Sequence, residues 1–415
     1  MLCLIALSVA LAAPVPSSPP AGDWAQFRGP TAQGHADAKR LPTEWDETKN
    51  VAWKVEIPGG GWSSPVVAGG KIYLTTAVPN DKAMVDRSLR ALALDAATGK
   101  TLWDVEVFQQ DAATAPRIHA KNSHASPTPM VVGDRLFVHF GHYGTSCLET
   151  ATGKRVWANT ENGYKPVHGG GGSPLVADGK VFVLIDGTDK RQVVAYDAAT
   201  GKVAWLTKRT HPARKPFSFN TPLLVTVAGR KTLVAVGSDV MSGYDPADGK
   251  ELWSVTFDGY SIVPRPVFGH ELIFFSTGYD SPTVMAVKVE RAGDGFAATV
   301  AWKSKEGAPR NSSPLLVGDE LYLVSDEGIF TCRDATTGKV HWNERVPGAY
   351  SASLLFGAGN VYLQNEAGVG SVFKATKDGP EAVGGGKLPG RTLASYAVDG
   401  EALLIRTDTH LYKIR

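Results

Sequence analysis

The sequence predicts an all-β protein, an eight-bladed β-propeller of four-stranded antiparallel blades closed by the N-terminal strand joining the C-terminal blade. Three observations carry that prediction. One phrase recurs: "LDAATGKTLW" (94–103), "LETATGKRVW" (148–157), "YDAATGKVAW" (196–205), "YDPADGKELW" (244–253) and "RDATTGKVHW" (333–342). Its tryptophans belong to a series, Trp53, Trp103, Trp157, Trp205, Trp253, Trp302 and Trp342, spaced by 50, 54, 48, 48, 49 and 40 residues. A fixed period of about 40–50 residues marks a propeller, solenoid or array. A second phrase precedes the first in most units: "SSPVVAGGKIYL" (63–74), "ASPTPMVVGDRLFV" (125–138), "GSPLVADGKVFVL" (172–184) and "SSPLLVGDELYLV" (312–324). It alternates apolar and polar residues around a glycine turn, as a β-hairpin does.

Each unit is therefore two hairpins, or four strands. In the first phrase Gly99, Gly153, Gly201, Gly249 and Gly338 supply a turn residue of positive φ, and Asp95, Asp197, Asp245 and Asp334 are placed to bond the turn's N–H groups. The tryptophan is then a large apolar wedge at a fixed place in each unit. Weaker copies of the second phrase begin near Thr221, Pro264, Ser351 and Ser395, which brings the units to eight over residues 51–415. The last unit has strands near "TLASYAV", "ALLIR" and "HLYKI" but no fourth, while "VAWKVEI" (51–57) is a fourth strand with no unit before it. Joining them removes the open edges of the array. Units five and seven depart from the pattern, with "ERAGDG" (290–295) for the turn phrase and Val383 where a tryptophan is expected.

The segments before the repeats read differently. Residues 1–13 hold the apolar run "LCLIALSVALAA", too short for a membrane span and ending in small residues, which predicts a cleaved signal peptide. Residues 14–22 read as a disordered spacer and 23–50 as an extension that packs on the propeller. Export to a periplasm or the exterior is expected, with no transmembrane span. Cys3 precedes the apolar run, so a lipid anchor is not expected. Cys147 and Cys332 fill the slot held by Ala93 and Ala195 in other copies, four blades apart, and are expected to be free, buried packing residues.

The pattern A-x-D-x-x-T-G-x-x-x-W, matched in full by Ala93–Trp103 and Ala195–Trp205, resembles the tryptophan-docking repeat of the pyrroloquinoline-quinone (PQQ)-like β-propellers. "DWAQFRGPTAQG", "VPRPVFGH" and "HLYKI" further resemble an exported bacterial branch, and assembly factors of the BamB type have the same repeat. The resemblance implies the fold; a scaffold of this kind hosts enzymes and binding proteins alike. In quinoprotein dehydrogenases it implies PQQ on the axis with Ca²⁺, an acidic base and often a disulfide between adjacent cysteines. The sequence has no adjacent cysteine pair, and a Glu–Asn–Asp metal set cannot be placed on the right loops.

A net charge of +2 and the absence of a basic helix exclude a dedicated nucleic-acid binder. Nothing resembles a nucleophile elbow, a His-Glu-x-x-His helix or an EF-hand loop. His119, His124 and His168 lack a carboxylate or cysteine partner at ligand spacing. In a four-stranded meander the short, uniform turns share one face and the long, varied loops the other, and varied loops on a rigid frame are where binding lives. The loop face carries a local basic excess: Arg117, His119, Lys121 and His124; Lys165 and His168; then "LTKRTHPARKPFSFN" (206–220) with Arg214 and Lys215; then Arg265 and Arg310. His124, His168, Asn220, Arg265 and Asn311 are expected to crowd toward the central channel. The reading is a monomeric, non-catalytic binding or assembly scaffold without a cofactor, taking a protein or an anionic small molecule at the channel mouth. The alternative is a small PQQ-dependent oxidoreductase using PQQ and Ca²⁺.

Overall fold

The computed structural model describes residues 23–80, 86–111, 113 and 115–415, so the expected signal peptide and spacer lie outside the described residues. The strands form eight antiparallel sheets, here called blades 1–8, over residues 66–110, 130–159, 175–208, 223–256, 267–304, 315–345, 355–387 and 397–414. Blade 8 takes its fourth strand from Val51–Glu56, which pairs with His410–Ile414 and closes the ring. The first strands of neighbouring blades contact one another around the axis. They are short and mostly apolar: Val66–Ala68, Met130–Val132 and Leu175–Ala177 are buried throughout. Among the described residues the only helical element is a 3₁₀ turn at Gly141–Tyr143.

The repeated phrase does what its residues suggest. Asp95 Oδ1 accepts bonds from the Thr98 N–H (2.8 Å) and hydroxyl (2.7 Å), and Asp197 with Thr200 and Asp334 with Thr337 repeat the motif. Gly99 turns the chain at φ +74°. The tryptophan on the strand that leaves the turn then docks on the next blade. The indole N–H of Trp53 donates to Ala96 O, Trp103 to Thr150 O, Trp157 to Ala198 O, Trp205 to Pro246 O, Trp302 to Ala335 O and Trp342 to Thr376 O, at 2.8–3.2 Å. Within its own blade the ring faces a small residue in all but the closing strand, where Trp53 pairs with Lys413. Ala93, Cys147, Ala195, Gly243, Ala286 and Cys332 pair in register with the six tryptophans from Trp103 to Trp342. Both cysteines are free and fully buried, and burial pushes their thiols up to about 12, so they are inert packing groups.

Blade 7 corrects one expectation. The residue opposite Val372, where a tryptophan belongs, is Gly384; Val383 lies beside it and is exposed. The wedge comes from outside the repeat. Glu44–Trp45 adds a parallel strand to the outer edge of blade 7 at Gly385–Gly386, and Trp45, 2% exposed, packs edge-on to Tyr396 of blade 8.

The rest of the N-terminal segment crosses the short-turn end of the channel. Trp24 O accepts from Val67 N of blade 1 and Ala25 O from Val131 N of blade 2. Arg28 donates to Pro314 O of blade 6 (2.7 Å), Gln33 accepts from Phe268 N of blade 5 (2.6 Å), and Gly34 O accepts from Phe356 N of blade 7. One segment thus ties five blades and stoppers the axis.

Candidate functional site

Eight residues encircle the axis at the entry to the inner strands: Ser64, Thr128, Ser173, Thr221, Arg265, Ser313, Ser353 and Ser395. In seven steps the backbone N–H of one donates to the hydroxyl of the next blade's residue at 2.9–3.1 Å. The ring lapses between Thr221 and Arg265. Five of the seven hydroxyls stand in Ser/Thr-Pro pairs, at Ser64, Thr128, Ser173, Thr221 and Ser313, so most of the signal is in plain sequence, although the alternation predicts only strands.

Above this ring lies a cavity of about 240 Å³, open to the loop face. Phe27, from the N-terminal segment, contributes to its floor, and Trp62, Phe219, Tyr260 and Tyr279 to its wall. At the mouth an aromatic chain runs Tyr279–His119–His168–Phe217–Tyr260, with ring centroids 5.5–6.2 Å apart. The site is an aromatic funnel with a hydroxyl collar.

A strap crosses its mouth. The link from blade 1 to blade 2 reaches over the axis, and Lys121 Nζ lies 2.8 Å from Asp326 Oδ2 of blade 6 and 3.0 Å from Glu366 Oε1 of blade 7. Both carboxylates are held in place. Asp326 Oδ1 accepts from Arg310 N and Asn311 N, and Glu366 accepts from the Ser351 hydroxyl (2.6 Å). Burial works against the Lys121 ammonium, but the two carboxylates outweigh it and hold its pKa above the ordinary value. Burial likewise opposes the Glu366 carboxylate, and the bonds from Ser351 and Lys121 outweigh it and hold its pKa below normal. Asn122 Nδ2 ties the strap to His168 O (2.7 Å) and Gly170 O (3.1 Å), and Arg391 donates to Ala120 O from the far side.

Of the sequence-predicted residues, His119, Lys121, His168 and Asn311 line this cavity. Two do not. Asn220 turns into the wall, where its amide donates to Pro264 O (2.7 Å). Arg265 is 1% exposed and spends its guanidinium on Pro222 O and Phe27 O. These bonds to buried carbonyls hold both side chains in the frame, and neither lines the cavity. His124 is half-buried outside the lining; burial, with Arg87 and His142 nearby, pulls its pKa to about 4. Arg117 and Lys165 are exposed beyond the lining. The basic excess is locally offset as well: Arg214 pairs with Asp239 (3.2 Å), Lys215 with Asp280 (3.6 Å) and Arg310 with Glu327. Positive charge is found instead in the frame. Arg28, Arg265 and Arg406 are fully buried, burial pulls each guanidinium down to about 9, and among the described residues none is ion-paired with a carboxylate.

Residues 35–140, 87–344 and 291–409 match the family described as "Outer membrane protein assembly factor BamB". The chain belongs to this PQQ-like propeller family. Quinohemoprotein alcohol dehydrogenase ADH IIB of Pseudomonas putida is 28% identical over 363 residues, covering 83% of this chain and 44% of its own. Polyvinylalcohol dehydrogenase of a Pseudomonas species is 25% identical over 361 residues, covering 75% of this chain and 50% of its own. The chain thus spans half or less of the curated relatives it matches. Among solved structures, BamB from Moraxella catarrhalis superposes with a TM-score of 0.54 at 18% identity, over 77% of this chain and 85% of that one. The computationally designed Ika8 protein gives 0.61 at 10% identity, over 86% and 98%. Such distant likeness speaks for the fold alone.

The family raises the question of PQQ and calcium. Among the described residues no group of three or more His, Cys, Asp or Glu side chains is arranged to hold a metal ion. The two carboxylates nearest the mouth, Asp326 and Glu366, share the Lys121 ammonium instead. The donor set therefore does not fit a calcium seat. Among the described residues no helix is long and apolar enough to cross a membrane.

Proposed function

We propose that the chain is an exported, non-catalytic binding or assembly scaffold that receives an anionic group in the loop-face funnel, on a small molecule or on an acidic protein segment. One observation carries this reading. The funnel is stoppered below, walled by aromatic rings and underlain by buried arginines that no carboxylate neutralises. Charge in a low-dielectric wall acts over a longer range than charge in water, so the interior favours an anion. Aromatic walls add apolar contact, and the strap narrows the mouth under two ion pairs.

The test is titration of the purified protein with citrate and with a short oligoglutamate peptide, followed by calorimetry at low and high salt. Saturable uptake that weakens with salt and is lost in Lys121→Glu is expected. If neither anion binds, the reading fails. A small PQQ-dependent oxidoreductase is the second reading, favoured by the named dehydrogenase relatives. Titration with PQQ and Ca²⁺ decides between them: stoichiometric uptake with dye-linked alcohol oxidation would replace the first reading by the second.

A further inference from the structure

The basic run 206–220 is divided by the fold. Arg214 and Lys215 face carboxylates near the funnel, whereas Lys208 and Arg209 end the outer strand of blade 3 and face a different opening. This is a cleft of about 470 Å³ on the loop face, formed by residues 187–192 and 208–210. Four cationic side chains line it: Lys190, Arg191, Lys208 and Arg209. Three carboxylates stand near them, one of which, Asp239, acts on Arg191 but is shared with Arg214. Asp186 lies 3.4 Å from Arg209 Nη1, and Asp189 is turned to its own loop, where it accepts from Lys165 N (2.7 Å). The balance is a local excess of positive charge.

We propose that this cleft, away from the funnel, binds a phosphate group, either free or on a lipid headgroup.

The guanidinium of Arg209 carries the argument. Its side chain is 1% exposed, yet Nε, Nη1 and Nη2 have no hydrogen-bond partner, and Arg191 Nη2 is equally unbonded. Both oxygens of Asp186 are unbonded too, so the ion pair leaves the donors of Arg209 unspent. A buried donor without an acceptor is costly, and structures rarely tolerate several together. Arg191 and Arg209 both line this one opening, the Arg209 guanidinium within its wall, and a guanidinium fork matches the oxygens of a phosphate, which accepts paired charge-assisted bonds. Charge agrees in sign: the four cations outnumber the three nearby carboxylates, which favours an anion. Space is kept for the fork at Gly237 of blade 4, where a Cβ atom would stand 1.9 Å from Arg209 Nη1. Thr188 and Thr210 add hydroxyls to the rim. Burial holds the Asp186 pKa above normal, Arg209 and Arg191 only partly offsetting it, so this carboxyl is a weak competitor for its arginines.

The experiment uses the full chain. Inorganic phosphate is titrated against chloride at matched ionic strength, with thermal melting and amide NMR shifts as readouts, and phosphatidylcholine vesicles with and without phosphatidylglycerol are tested by co-sedimentation. Arg191→Gln and Lys208→Gln are each expected to weaken binding by about tenfold while the fold persists, since Lys208 is exposed and Arg191 half-exposed. Saturable binding of inorganic phosphate identifies the free ion as the source; binding only to phosphatidylglycerol vesicles identifies the headgroup. Lys121→Glu at the funnel should leave either unchanged, which separates this site from the funnel reading. Absence of both, or binding that neither variant weakens, overturns the proposal.

Discussion

The junction between blades 3 and 4 and the junction between blades 4 and 5 solve one problem by different means. At the first, both fasteners of the repeat are in place. Trp205 Nε1 donates to Pro246 O (3.1 Å), Thr207 donates to Gly249 O (2.6 Å), and at the axis Ser173 N donates to the Thr221 hydroxyl (2.9 Å). At the second, both are missing. Blade 5 replaces the turn phrase by a long hairpin, Val284–Ala292 and Gly295–Ser304, and buried Trp253 Nε1 has no acceptor. At the axis Arg265 stands where a hydroxyl is expected. The hairpin compensates outside, packing Val289, Phe296 and Ala298 into one apolar cluster with Trp253. The N-terminal segment compensates inside, because Arg265 donates to Phe27 O as well as to Pro222 O. The repeat thus supplies polar fasteners at two radii, and where it lapses an unrelated element takes the load.

The largest way to break the regular junction is Trp205→Ala. A 9%-exposed indole is lost with little chance of collapse between two sheets, and the cost should be about 3–5 kcal/mol in a urea melt. A cost under about 1 kcal/mol would show that strand pairing alone holds the blades. Next is Arg265→Met at the irregular junction. It preserves apolar volume but removes the guanidinium's bonds to two buried carbonyls, for a loss of about 2–3 kcal/mol. Limited proteolysis should show residues 23–35 cut early in this variant and not in Trp205→Ala, since only Arg265 ties blade 5 to Phe27. Equal cutting in both would mean that the segment's other ties, to blades 1, 2, 6 and 7 and through Gln33 to blade 5, hold it without Arg265.

The contrast also explains what was legible in the sequence. The blades were, because Trp103, Gly99 and Asp95 each do a local job that their spacing reveals. Ring closure was, because Val51–Glu56 has the pattern of a fourth strand and blade 8 lacks one. The cysteines were, since a slot filled by alanine elsewhere has to be small. Contacts made once only were not. Lys121 meets Asp326 and Glu366 more than 200 residues away, and no periodicity predicts such a pair. Trp45 substitutes for the missing wedge of blade 7 from outside the repeat, and spacing alone points to Val383 instead. Asn220 and Arg265 sit at the height of the axis, but side-chain direction there is decided by packing between blades.

The smallest effect gives the sharpest comparison, because it removes one N–H and almost nothing else. Trp205→Phe keeps most of the ring, deletes the bond to Pro246 O and leaves that carbonyl unpaired in a buried seam. Trp253→Phe makes the same change where there is no bond to lose and where an unsatisfied N–H is already being carried. Both substitutions shed similar apolar area, so the transfer and cavity costs largely cancel when the two are compared. What remains is the hydrogen bond itself, about 1–2 kcal/mol against Trp205→Phe. Urea midpoints at unchanged slope measure the difference directly. If Trp253→Phe costs as much as Trp205→Phe, the indole N–H contributes nothing to docking, and the tryptophan is only a wedge.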